Sequence, residues 1–187
     1  LLLTKRPENL REMLGWFGPA LPENIWLGTS VENMNVIERV GPLAEAPAVV
    51  RFLSCEPLLG PIDLGCTCWM SDNTIPGKYG MNFCRNCRKL CLRTHINWVI
   101  VGGESGHGAR PCEVAWVRSI ARQCRDSGIK CFVKQLGAKP VWPTVEGRYQ
   151  IDADDFRDGP ERDVLRDSKG GDWDEWPEDL RVREFPR

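Results

Sequence analysis

Histidine is almost missing from this chain: His95 and His107 are the only two in 187 residues. The sequence offers no Ser–His–Asp set, and hydrolysis by a histidine base is disfavoured. A surplus of charge is missing too, since 25 Lys and Arg face 26 Asp and Glu. That balance argues against a uniformly basic nucleic-acid coat or a membrane-surface protein. No run approaches the roughly 18 apolar residues that cross a bilayer, so no membrane partner is expected. No secretory signal is expected, because Leu1-Leu2-Leu3 is followed at once by Thr4-Lys5-Arg6. No Gly-x-Gly-x-x-Gly follows an apolar run, which weighs against dinucleotide binding. The first residue is not Met, and Leu1–Thr4 already reads as the inside of a buried strand. A fragment without its natural N-terminus is therefore expected.

What is plentiful is cysteine and tryptophan, nine and eight residues respectively. Around them runs an alternating pattern. Five short apolar stretches, Leu1–Thr4, Ile25–Thr29, Val49–Ser54, Trp98–Gly102 and Cys131–Lys134, are continuous rather than alternating in character. Such runs suit strands of a parallel sheet covered on both faces. Helical patterns lie between them. Pro7 opens one that carries Leu10, Met13, Leu14 and Phe17. A looser one carries Val36, Ile37, Val40 and Leu43, and a third runs from Val114 to Cys124 with Gly128 as its stop. The expected fold class is α/β, built of parallel βα units. An open doubly wound sheet and the later part of a TIM-barrel-like fold both fit, and the polar strand ends favour the barrel.

Those ends read Thr4-Lys5-Arg6, Gly28-Thr29-Ser30-Val31-Glu32, Ser54-Cys55-Glu56-Pro57, Gly102-Gly103-Glu104-Ser105-Gly106 and Lys134-Gln135. In parallel α/β folds ligands meet the carboxyl ends of the strands, so Glu32, Glu56, Glu104 and Lys134 are candidate catalytic residues around one mouth. Gly102, Gly103 and Ser105 are candidate cofactor-binding residues, because successive glycines let a backbone approach a ligand and expose its N–H groups. Glu104 could accept from an amine or hydroxyl. A plain turn into Arg110-Pro111 is the alternative. Lys134 could pair with Glu56 or Glu104, or hold a substrate anion.

Five cysteines fall in an insertion between the third and fourth runs. Cys84-x2-Cys87 has metal-ligand spacing, and Cys66-x-Cys68 is a tighter pair upstream. A structural Zn²⁺ on Cys66, Cys68, Cys84 and Cys87 is expected, with Cys91 and His95 as spare ligands; unligated or disulfide-bonded cysteines are the alternative. Arg85, Arg88 and Lys89 make the insertion basic, so it could meet nucleic acid, or the charges could only solvate the loop. Cys55, Cys112, Cys124 and Cys131 stand alone among apolar residues, as small buried thiols do. This mixed usage, without a secretory signal, points to a cytoplasmic protein. The expected organisation is an α/β domain over residues 1–142, with the Cys-rich loop inserted at 65–96, then an acidic, loop-rich extension over 143–187. Residues 151–187 hold 13 acidic against 7 basic side chains. The expected path of that extension folds back through its aromatic residues.

Several long motifs occur in order: Leu3-Thr4-Lys5-Arg6-Pro7, Trp26-Leu27-Gly28-Thr29-Ser30-Val31-Glu32, Phe52-Leu53-Ser54-Cys55-Glu56-Pro57-Leu58-Leu59-Gly60, Trp98-Val99-Ile100-Val101-Gly102-Gly103-Glu104-Ser105-Gly106, Phe132-Val133-Lys134-Gln135 and Gly170-Gly171-Asp172. Together they resemble a phage-associated family of uncharacterised three-cysteine-motif proteins. The resemblance implies a barrel-like α/β fold related to radical S-adenosylmethionine enzymes, acting on nucleic acid or a nucleotide. It also implies an N-terminal cysteine motif holding an iron–sulfur cluster, which this sequence does not contain. S-adenosylmethionine and the cluster are thus expected only in a longer chain, and radical chemistry is not expected of this one. A non-catalytic, zinc-containing nucleic-acid-binding module is the alternative function.

Overall fold

The computed structural model describes residues 1–15, 21–65, 95–142 and 165–186, together with the backbone of two short strands at 74–76 and 82–84. The expected parallel strands are present as β1 (Leu2–Thr4), β2 (Trp26–Ser30), β3 (Val50–Cys55), β6 (Trp98–Gly102) and β8 (Lys130–Gln135). They form one parallel sheet in the order β1-β2-β3-β6-β8, which follows the chain. No closure of this sheet into a barrel is found among the described residues. The strands β4 (Thr74–Pro76) and β5 (Asn82–Cys84) pair antiparallel within the insertion. The short pair β7 (Cys112–Glu113) and β9 (Pro140–Val141) lies apart from the main sheet.

Helical segments fall where the apolar spacing places them, in shorter pieces. Pro7 starts a 3-10 turn over Pro7–Asn9 that runs into α1 (Leu10–Leu14). A 3-10 stretch over Met34–Arg39 leads to α2 (Val40–Ala44), and a non-helical Val36 interrupts it. The longest helix, α3 (Val114–Ser127), buries Val114, Val117, Ile120 and Cys124, a 3.6-residue repeat. Gly128 ends it at φ +69°, the left-handed conformation that favours glycine at a helix end.

Strand register sorts the sheet into two faces. Leu27, Leu53, Cys55, Val99, Val101, Cys131 and Val133 share the face that packs with Val40 and Leu43 of α2 and with Val117, Ile120 and Cys124 of α3. The opposite face carries aromatics. Trp98 meets Trp26 edge-on at 5.8 Å and Phe132 at 6.1 Å, and it tilts against Phe52 at 5.9 Å. Phe185 from the C-terminal residues joins this group 5.4 Å from Trp98. Gly28 sits under the Phe52 ring, where a Cβ would lie 2.4 Å from ring carbons, so only glycine leaves room.

One expectation is corrected. Leu1, Leu2 and Leu3 are 68%, 47% and 53% exposed rather than buried. Their strand stands at the edge of the described sheet and pairs with β2 alone among the described residues, so no second described strand covers it. The four isolated cysteines are buried free thiols, as their surroundings in the sequence suggest. The C-terminal residues do fold back: Val133 N–H donates to the Val182 carbonyl and Glu184 N–H to the Cys131 carbonyl, each at 2.8 Å. Trp176 and Leu180 are buried in the main core.

Candidate functional site

Because the five strands run parallel, their carboxyl ends reach one edge of the sheet, and the polar residues after them converge there. Glu32, just past β2, is nearly out of water. One of its carboxylate oxygens accepts from Lys5 Nζ, beyond β1, and the other from Arg39 Nη1 at 3.0 Å. Burial raises the proton affinity of Glu32, but the Lys5 hydrogen bond and the charges of Lys5 and Arg39 outweigh it. The carboxyl is held below its ordinary pKa. Arg39 Nη1 also donates to the Ser30 carbonyl at 3.0 Å, which ties the end of the 3-10 stretch to β2.

Glu56, just past β3, meets Lys134 Nζ at 3.2 Å, so the lysine chooses Glu56 over Glu104. A β-bulge sets this pairing. Val101 faces Val133, but the next pairing is Gly102 with Gln135, which leaves Lys134 as the extra, unpaired residue. A bulge of this kind re-aims the side chain it carries.

Glu104 is engaged elsewhere. Its carboxylate accepts from Arg110 N at 2.9 Å, Arg110 Nε at 2.7 Å and Arg110 Nη2 at 2.9 Å. The Arg110 side chain and backbone hydrogen bonds together hold the Glu104 pKa at about 2. The bond cluster closes the loop from 104 to 110 at its base, with Ser105 and His107 on its exposed part. Arg110 in turn lies close enough to Glu32 to feel its charge.

Gly103 is required by packing, and Gly102 is crowded. A Cβ on Gly103 would sit 2.3 Å from the Leu136 carbonyl oxygen, and one on Gly102 would sit 2.9 Å from Glu56 Oε1. The Gly103 carbonyl accepts from Gln135 Nε2 at 2.9 Å, and Gly103 N–H donates to the Gln135 carbonyl at 3.0 Å. Leu136 N–H continues the stack by donating to the Gly170 carbonyl at 2.8 Å. The double glycine thus lets three loops lie against one another.

The carboxylates and cations of the mouth occupy different levels. The Glu32, Glu56 and Glu104 side chains are 11%, 18% and 29% exposed, whereas those of Lys5, Lys134 and Arg110 are 63%, 55% and 56% exposed. The acids form a floor and the cations stand above it. With Arg39, four cations meet three carboxylates at these strand ends. Glu32, Glu56, Glu104 and Lys134 lie at strand ends, where the sequence reading puts them, but that reading does not single out Arg39 or Arg110. Arg110 had one usable signal, its place just after the glycine-rich loop.

An iron–sulfur cluster at this mouth would need thiolates. The four described thiols are buried, and three are hard to ionise. Burial, then Cys131 and Glu56 nearby, pushes the Cys55 pKa up, and burial raises Cys112 to about 12. The hydrogen bond with Cys131, then burial, raises Cys124 well above the ordinary range. No group of three or more metal-ligating side chains occurs among the described residues. An iron–sulfur cluster therefore does not fit the described mouth. Cys66, Cys68, Cys87, Cys91, Arg85, Arg88 and Lys89 lie outside the described residues, as does the side chain of Cys84.

A mixed α/β protein with a five-stranded parallel sheet, its charged groups gathered at the carboxyl edge, is the class that fold and site define. No helix among the described residues is long and apolar enough to cross a membrane. The chain belongs to the family described as Protein of unknown function (DUF5131), whose family model matches residues 1–177. No curated protein and no solved structure matches it.

Proposed function

We propose that the strand-end mouth binds an anionic substrate, a nucleotide or a nucleic acid, and that the chain is the substrate-holding part of a radical-S-adenosylmethionine-like enzyme. The observation that carries the substrate class is the layering of charge, with exposed Lys5, Lys134 and Arg110 above sheltered Glu32, Glu56 and Glu104. Each cation has donors left after its intramolecular bond, so phosphate oxygens can be met without dismantling the floor. Glu32, Glu56 and Glu104 then position those cations, and the loop bearing Ser105 borders the bound ligand. The barrel kinship has its own support: strand order follows the chain, whereas doubly wound sheets reverse it at a switch point. S-adenosylmethionine and a cluster would belong to a longer polypeptide, and the phage association comes with the same resemblance. For the insertion we propose a structural Zn²⁺ drawing on Cys66, Cys68, Cys84 and Cys87. The support is their spacing and the β4–β5 hairpin, which ends on Cys84.

The test is titration of the full chain with a nucleoside triphosphate and, separately, a short single-stranded DNA, at low and high salt. Binding that weakens with salt and falls about tenfold or more in the Lys5→Ala/Lys134→Ala double variant is expected. Absence of binding to both probes at low salt, or equal binding by the variant, would overturn the reading.

A further inference from the structure

The loop between Glu104 and Arg110 is held at both ends and free in its middle. Ala138 N–H donates to the Glu104 carbonyl at 2.8 Å and Cys112 N–H to the Lys139 carbonyl at 3.0 Å, so the chain leaves and rejoins the flank beyond β8. Between those ties it reaches the other way along the edge, since Arg110 feels the charge of Glu32, which follows a strand two places from β6. Ala109 is 3% exposed and pins the returning arm. The four residues between, Ser105-Gly106-His107-Gly108, are exposed. Gly106 and Gly108 adopt φ +97° and +76° with nothing within 4 Å of a would-be Cβ, so backbone conformation rather than packing asks for glycine there. The turn they make lifts His107 clear of the protein. Lys5, Arg39, Lys134 and Arg110 at the mouth all have protein partners. The Ser105 hydroxyl and the His107 imidazole have none among the described residues.

We propose that His107 is a direct contact of the ligand bound at the strand-end mouth, its imidazole N–H donating to a phosphate oxygen while the Glu104–Arg110 clasp holds the loop in place. The inference rests on the anion-binding reading above and adds a residue to it. An imidazole keeps at least one N–H whether neutral or charged, so the ring can donate in either form. It meets the ligand without giving up a bond inside the protein, which none of the four cations does. The Ser105 hydroxyl beside it is a second free donor. The clasp fixes where the turn stands, and the two glycines let its tip adjust to what is bound. A nucleotide and a nucleic-acid strand share the phosphate this contact would read.

The experiment uses the full chain with thymidine triphosphate and, separately, a short oligothymidylate, at fixed pH and low salt. Two histidines give two imidazole Hε1 signals by NMR, and the one absent in His107→Ala belongs to His107. A bound probe should shift that signal in step with saturation. The same probe concentration should leave it unmoved in the Lys5→Ala/Lys134→Ala variant, because both changes report on one site. His107→Ala should bind about tenfold more weakly, the scale of one lost hydrogen bond to a charged group, and His107→Gln, which keeps a donor, should recover part of the loss. A shift with the triphosphate alone identifies a nucleotide as the ligand, and one with the oligomer alone identifies a strand. Wild-type binding with the His107 signal unmoved, or with affinity unchanged in His107→Ala, would overturn the role of His107 and leave the mouth reading standing. A wild-type chain that binds neither probe would overturn both.

Discussion

Glu32 and Glu104 show how differently two rim carboxylates can be held. Glu32 is sheltered and bound by cations from two other elements, so its charge organises Lys5 and Arg39 more than it faces solvent. Glu104 is paired within its own loop, and its low pKa comes from hydrogen bonds with one residue, Arg110. The sign of the linkage follows. A carboxyl whose folded pKa is depressed adds stability above its ordinary pKa, and the contribution is lost as pH falls through the folded value. For Glu104 the window runs from 4.5 down to about 2. Side-chain NMR titration should find Glu104 near that lower value, returning to the ordinary range in Arg110→Ala. A wild-type midpoint near 4.5 would refute the clasp.

At the scale of elements, two glycines predict different costs for the same change. Gly128 ends α3 at φ +69° with nothing within 4 Å of a would-be Cβ, so Gly128→Ala meets only backbone strain, about 1 kcal/mol. Gly103 is blocked by backbone, the Leu136 carbonyl oxygen at 2.3 Å, and neither side can yield without shifting a loop. Gly103→Ala should cost roughly 2–4 kcal/mol, because overpacking adds to lost loop hydrogen bonds. Urea unfolding of the two variants gives the comparison. Equal losses would mean that the Gly103, Leu136 and Gly170 loops do not hold one another as described.

Across the whole molecule, the uneven charge of the sequence is partly reconciled by folding. The acidic C-terminal residues lie against basic elements of the body, with Asp179 on Arg118 of α3 at 2.7 Å and Glu184 on Lys130 of β8 at 3.2 Å. These exposed pairs contribute little each. Trp176 matters more. It is 2% exposed, and its Nε1 donates to the Gly170 carbonyl at 3.0 Å, the same oxygen that receives Leu136 N–H at 2.8 Å. Trp176→Ala should therefore cost about 3–5 kcal/mol and loosen the mouth loops as well. Denaturant unfolding measures the first effect, and faster hydrogen exchange at Leu136 measures the second. Unchanged exchange there would separate the C-terminal segment from the mouth.

The sequence by itself determined what local chemistry controls. Apolar runs mark all five parallel strands to within about a residue or two, and the Val114 to Cys124 spacing with Gly128 marks α3. Parallel strands must end on one side, so the polar residues after them had to share an edge. Tertiary structure alone decided who meets whom on that edge. Lys5 and Glu32 are 27 residues apart, and their contact depends on the distance between strands rather than on spacing along the chain. The bulge that gives Lys134 to Glu56, the clasp that takes Glu104 for Arg110, and the carbonyl packed against Gly103 arise the same way. So does the exposure of Leu1–Leu3, which only the number of neighbouring strands could set. An apolar run shows that a strand forms, and the neighbours it gains on folding fix its burial and the partners of its ends.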